Sequence, residues 1–175
     1  MIVTDESILR LPCSEASIDE AKDIVFKLEQ ELKHSADIGS PGIGLAAPQI
    51  GIHKKVAIVR IGDFKLNLAN AIIDQKFDKF KFDNEGCLSF PGKLISSYRY
   101  NEIHVSNNLF EPKRFIVTGI VSVVCQHELE HLDNILLIDH VDANVNLIQK
   151  NKKIRPNDQC ICGSNKKYKK CCGAK

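Results

Sequence analysis

The segment Gly119 to Leu132 constrains the fold of this chain more than any other. Ile120, Val121, Val124, Leu129 and Leu132 recur along it at helical spacing, with Gly119 at its start. A helix with so little polar surface belongs in the core, and the remaining elements have to pack around it. Inside the same segment His127 and His131 stand four residues apart, which places both imidazoles on one helical face, where they can grip a single ion. Glu128 follows the first histidine in the H-E-x-x-H pattern, a position from which a glutamate reaches an activated water rather than the ion itself. It is the candidate general acid and base. The competing reading is a buried helix with two hydrogen-bonded core histidines.

Around this segment the pattern alternates between long-period and short-period apolar runs. Between Ser17 and Leu32, Ile18, Ala21, Ile24, Val25, Leu28 and Leu32 predict an amphipathic helix, opened by the S-x-x-E capping box of Ser17 and Glu20. Gly39 to Gly51, punctuated by Pro41, Gly42, Gly44 and Pro48, reads as a constrained loop. Strands are expected over Lys55 to Ile61, Phe64 to Asn70, Ala71 to Phe82, Leu94 to Val105 and Lys113 to Val117. A short helix over Val141 to Asn151 and a linker at Arg155 to Asp158 complete the reading. The order helix, strands, helix predicts an α+β domain, with antiparallel or mixed sheets packed around the central helix that carries the two histidines.

A catalytic zinc-like site takes three protein ligands and keeps one position open. Downstream, the residue six after His131 is Leu137, so one protease pattern is missing, and no glutamate follows Glu130. Asp139, His140 and Asp142 remain as formal third ligands. Upstream, Glu85-Gly86-Cys87-Leu88-Ser89 offers a cysteine beside a glycine, although Cys87 alone reads equally as a buried structural thiol.

Taken together with Gly42-Ile43-Gly44-Leu45-Ala46-Ala47-Pro48-Gln49-Ile50-Gly51, these segments resemble the peptide deformylase family, with its G-x-G-x-A-A-x-Q, E-G-C-x-S and H-E-x-x-H hallmarks. The resemblance spans about residues 1–150. It implies Cys87, His127 and His131 as ligands of one divalent ion, Fe(II) natively, with zinc, nickel or cobalt able to replace it. It also implies Glu128 as proton carrier, with Gln49 and the Leu88 N–H as donors to a formyl oxygen and the Gly44 backbone beside them. The substrate class implied is the formyl-methionyl end of nascent peptides. Ile43, Gly44, Gly86, Ile120, Val123 and Val124 are expected to line the methionine pocket. Three departures stand out: Glu130 replaces the usual Asp, Asn134 the frequent Gly, and the arginine usual soon after E-G-C-x-S is missing, with Lys93 or Arg99 as substitutes. Two other functions are weighed beside the deformylase: an H-E-x-x-H protease, and a degenerate scaffold serving as an adaptor.

The end of the chain has a different composition. From Lys150 onward there are nine Lys or Arg against one acid, Asp158, leaving 15 basic and 21 acidic residues before it. A basic tail on an acidic body suggests an anionic partner such as RNA or a ribosome. Within the tail, Cys160, Cys162, Cys171 and Cys172 have the C-x-C…C-C spacing of four thiolates closing on one structural zinc. Residues 156–173 resemble the zinc-binding SEC-C motif, which implies a small knuckle binding a ribosome or chaperone. With no basic and apolar leader and no apolar run long enough to span a bilayer, a cytoplasmic monomer with no membrane partner is expected.

Overall fold

The reciprocal capping box forms as expected: Ser17 accepts from the Glu20 amide, and the Glu20 carboxylate accepts from the Ser17 amide. It starts the long helix of a computed structural model that describes residues 1–140 and 167–170. A single turn, α1 (Glu6–Leu9), precedes that helix, α2 (Ile18–Asp37). Then come β1 (Gly44–Ala46), a 3-10 turn (Ala47–Ile50), β2 (Val56–Ile61), β3 (Phe64–Ala69), β4 (Ile72–Gly86), β5 (Leu94–Ser106) and β6 (Arg114–Thr118). Helix α3 (Gly119–Leu132) and a 3-10 turn (Leu137–His140) follow. The chain divides into two units, Met1–His140 and Val141–Lys175. Among the described residues of the second, Tyr168–Lys170 form a 3-10 turn. The expected helix over Val141 to Asn151, Asp142 and the four tail cysteines lie outside the described residues.

The strands form two antiparallel sheets, β1-β2-β3 and β4-β5-β6, giving the mixed α+β architecture. Strand β2 explains how they stack. Its Val56 and Ile58 join the cluster made by α2 residues Ala21, Ile24, Val25, Leu28 and Leu32. Its Ala57 and Val59 point the other way, into the cluster of Val124, Cys125, Leu129 and Leu132 from α3 with Ile103 and Val105 from β5. Both faces of the first sheet are therefore covered, which is why β2 reads as a continuous apolar run rather than an alternating one. Helix α3 lies between the sheets and buries ten of its 14 residues.

Two expectations are corrected here. The stretch Gly39 to Gly51 is not loop throughout, because Gly44, Leu45 and Ala46 pair with Val59, Ile58 and Ala57 as the edge strand β1. Helix α2 also runs five residues past Leu32, along a polar stretch with only Ser35 buried. After α3 the chain reverses through Asn134 at φ 63, a left-handed position that glycine or asparagine adopts at least cost.

Candidate active site

Strands β4 and β5 make a long hairpin whose connection begins at Cys87, so the cysteine is held at the very end of β4. Its Sγ lies 3.3 Å from His131 Nε2, and one donor atom each from Cys87, His127 and His131 fall within 4.8 Å of one another. Two of these residues come from one face of α3, the third from the other sheet's hairpin.

The ring of His127 has its far nitrogen fixed: Nδ1 lies 2.6 Å from Glu85 Oε1. A carboxylate there takes the Nδ1–H and leaves Nε2 free as a donor atom for an ion. Glu85 is itself held by Ser97 and by both Nε and Nη2 of Arg99, at 2.9 and 2.5 Å. Burial works against the Glu85 carboxylate, but those hydrogen bonds outweigh it and keep it ionised far below the usual range. Burial also opposes charge on His127, yet bonds to Cys87 and Glu85 lift it to about 10. His131 moves the other way, pushed down by burial and by its charged neighbours His127 and Arg99. The cluster therefore brings one sulfur and two imidazole nitrogens together, with a proton held on His127. That donor set suits a late first-row divalent ion, which would take the proton's place.

Glu128 is buried, and burial raises its carboxyl to about 7, with His127 and Arg99 pulling against the rise. Its Oε2 has no partner among the described residues. Gly44 allows this position, since a Cβ there would run into Glu128 Oε1 and Val124 Cγ1. On the same side, Gln49 is oriented by the Ala46 amide, which donates to its Oε1 at 2.9 Å. Its Nε2 is left to donate to Cys87 Sγ at 3.4 Å and Ser89 Oγ at 3.2 Å. The sharp turn at Gly51, φ 77, closes the 3-10 turn that presents it.

A cavity of about 500 Å³ opens over this group. Ile43, Gly44, Gly86, Ile120, Val123 and Val124 all line it, together with Gln49, Cys87, Leu88, His127 and Glu128. Two of the three formal alternatives for the third ligand are engaged elsewhere: Asp139 is clamped by Arg10, and His140 pairs with Glu130. A family model described as polypeptide deformylase matches residues 1–146.

The chain belongs to that family.

Deformylases use a catalytic divalent metal and act on formyl-methionyl peptides. This deformylase is 37% identical over 139 residues to the peptide deformylase of a Picosynechococcus species, covering 74% of this chain and 73% of the relative. It is 38% identical over 138 residues to that of Clostridium botulinum, covering 77% and 90%. The solved deformylase of Synechococcus elongatus in complex with actinonin superposes with a TM-score of 0.72 at 32% identity, over 85% of this chain and 81% of that one. A second model, the SEC-C motif, matches residues 157–174.

Within the deformylase frame two of the sequence departures acquire a physical account. Asn134 serves the left-handed turn in place of glycine. Glu130 forms an ion pair with Arg99, Oε1 to Nη1 at 2.6 Å, at an angle short of a hydrogen bond. That pairing also corrects one expectation: Arg99 is fully buried between Glu85 and Glu130, so it is not available to a substrate. Lys93, by contrast, lines the cavity beside Phe90. Sequence reasoning assigned no role to Glu85, Ser97 or the Arg99 pairing. The available signal was the glutamate heading E-G-C-x-S, a charged residue placed two positions from a metal-type cysteine.

Proposed function

We propose that this deformylase holds one divalent ion through Cys87, His127 and His131 and removes the formyl group from formyl-methionyl peptides with Glu128 as the proton carrier. The convergence of the three donor atoms within 4.8 Å beneath the cavity carries the reading. When bound, such an ion supplies Lewis acidity and lowers the pKa of water toward neutrality. Fe(II) is the ion the resemblance favours, with zinc, nickel and cobalt as replacements.

The protein's own groups do the rest. Glu128, poised near neutrality and with no partner for Oε2 among the described residues, accepts a proton from the attacking water and returns it to the departing amine. Gln49 Nε2, turned toward Cys87 by the Ala46 amide, and the Leu88 N–H donate to the formyl oxygen as charge grows on it; one such donor is typically worth about 3 kcal/mol. Ile43, Ile120, Val123 and Val124 take the methionine side chain, with Gly44 and Gly86 lining the same cavity. Lys93 at the cavity is the cation left to meet substrate carbonyls once Arg99 is committed to Glu85 and Glu130.

For the tail, we infer two domains, a catalytic one over 1–150 and a knuckle over 156–173 in which Cys160, Cys162, Cys171 and Cys172 enclose a structural zinc. The SEC-C match and the basic charge support a tether to a ribosome or chaperone. The catalytic reading is tested by formate release from a formyl-methionyl peptide, using protein prepared anaerobically with Fe(II), beside Glu128→Gln. Release lost in the variant while the ion stays bound is the expected result. No release by a folded, ion-loaded wild type would sink the reading.

A further inference from the structure

A guanidinium with no exposure to water has to be neutralised on every side, and Arg99 is in that position. Glu85 satisfies Nε and Nη2, but that carboxylate has nothing left to give, because Oε1 also takes His127 Nδ1 and Oε2 the Ser97 hydroxyl. The remaining edge, Nη1, faces Glu130 Oε1 at 2.6 Å. Glu130 divides its two oxygens: Oε2 lies 2.8 Å from His140 Nε2. His140 is itself well anchored. The 3-10 turn that ends with it carries Leu137, which with Leu136 packs against Leu9 and Phe90. Its neighbour Asp139 accepts two hydrogen bonds from Arg10, at 2.7 and 2.9 Å.

We propose that His140 is a positioning residue for the catalytic ion: by holding one oxygen of Glu130 it completes the chain His140–Glu130–Arg99–Glu85–His127 that sets the imidazole ring of His127. The proposal rests on the metal reading above. A carboxylate held at one oxygen only can swing about its side-chain torsions, whereas one held at both cannot. Glu130 fixed at both ends fixes the third side of Arg99, and a fixed guanidinium in turn holds Glu85 square to His127 Nδ1. An aspartate at 130, one methylene shorter, would not span Arg99 and His140 together, so the glutamate and the histidine work as a pair. Partners that orient a ligand from behind influence metal affinity by about 10- to 100-fold, and a contact two residues further out should carry a fraction of that.

The test uses the full-length protein loaded with Zn(II) for release into excess chelator and with Co(II) for its visible spectrum. His140→Leu keeps the bulk and removes the hydrogen bond, and His140→Gln returns an N–H near the position of Nε2. His140→Leu should speed ion release by about three- to tenfold and shift the Co(II) bands. His140→Gln should recover most of both. Glu130→Asp should match His140→Leu, and the double variant should add little, since either change breaks the same link. Thermal melts recorded alongside separate loss of the link from loss of the fold. Release and spectra unchanged in His140→Leu would overturn the proposal, and so would equal effects of Leu and Gln, which would mean that the position only fills space. If Cys87→Ser releases its ion no faster than wild type, the metal reading itself falls and takes this proposal with it.

Discussion

Glu128 holds a carboxyl lifted by burial to about 7, above the ordinary carboxylate value it regains on unfolding. The folded state therefore disfavours its ionised form. That penalty is absent below about pH 4.5 and grows as pH rises through 7, reaching roughly 3 kcal/mol. With divalent ions chelated, Glu128→Gln should melt above wild type at pH 8, with the gap closing by pH 5. Identical melts at both pH values would show that Glu128 is not desolvated. Residues of this kind were legible in the sequence because their chemistry needs particular types at particular spacings, as with His127, Glu128 and His131 on one helical face. Arg99 was not, because its role depends on strand register: it stands opposite Phe80 in β5, 14 residues from Glu85, and no sequence spacing shows that its guanidinium turns inward.

At the scale of elements, the hairpin β4–β5 and helix α3 are joined by the buried pair Glu85 and Arg99 and the half-buried Glu130 as well as by apolar packing. Replacing Arg99 with methionine leaves Glu85 buried without its counter-ion and takes from Glu130 the cation they share. Breaking a buried pair from one side costs about 3 to 5 kcal/mol, so Arg99→Met should lower the urea midpoint strongly and weaken ion retention through Glu85. A midpoint within error of wild type would show that the pair is solvated. Helix α3 and strands β2, β3, β5 and β6 were readable within a residue or so, since their apolar periods are strong and local. Strand β1 was not. Its three residues sit among Gly and Pro, which read as loop, and they become a strand only because β2 offers an edge to pair with. The end of α2 was missed for a similar reason: past Leu32 its residues are polar, and the apolar period that marks a helix gives out before the hydrogen bonds do.

Across the whole molecule, charge is divided between an acidic body and a basic tail, and no described helix is long and apolar enough to cross a membrane. If the tail tethers the enzyme to ribosomal RNA, a chain ending at Lys153 should lose most of its co-sedimentation with ribosomes in moderate salt, while formate release from a free peptide stays unchanged. Equal co-sedimentation would remove the tether. A further consequence lies in the way the two sheets are connected. Among the described residues the backbone passes between them once, around Asn70 and Ala71, and no strand of one sheet pairs with a strand of the other. Gly44 and Gln49 lie before that crossing, whereas Cys87, Glu128 and both histidines lie after it. The enzyme is in effect two half-sites written one after the other in the gene. Expressed as separate polypeptides cut at the crossing, the halves would form a split enzyme in which the second half carries all three proposed ligands but turnover returns only when the first half docks.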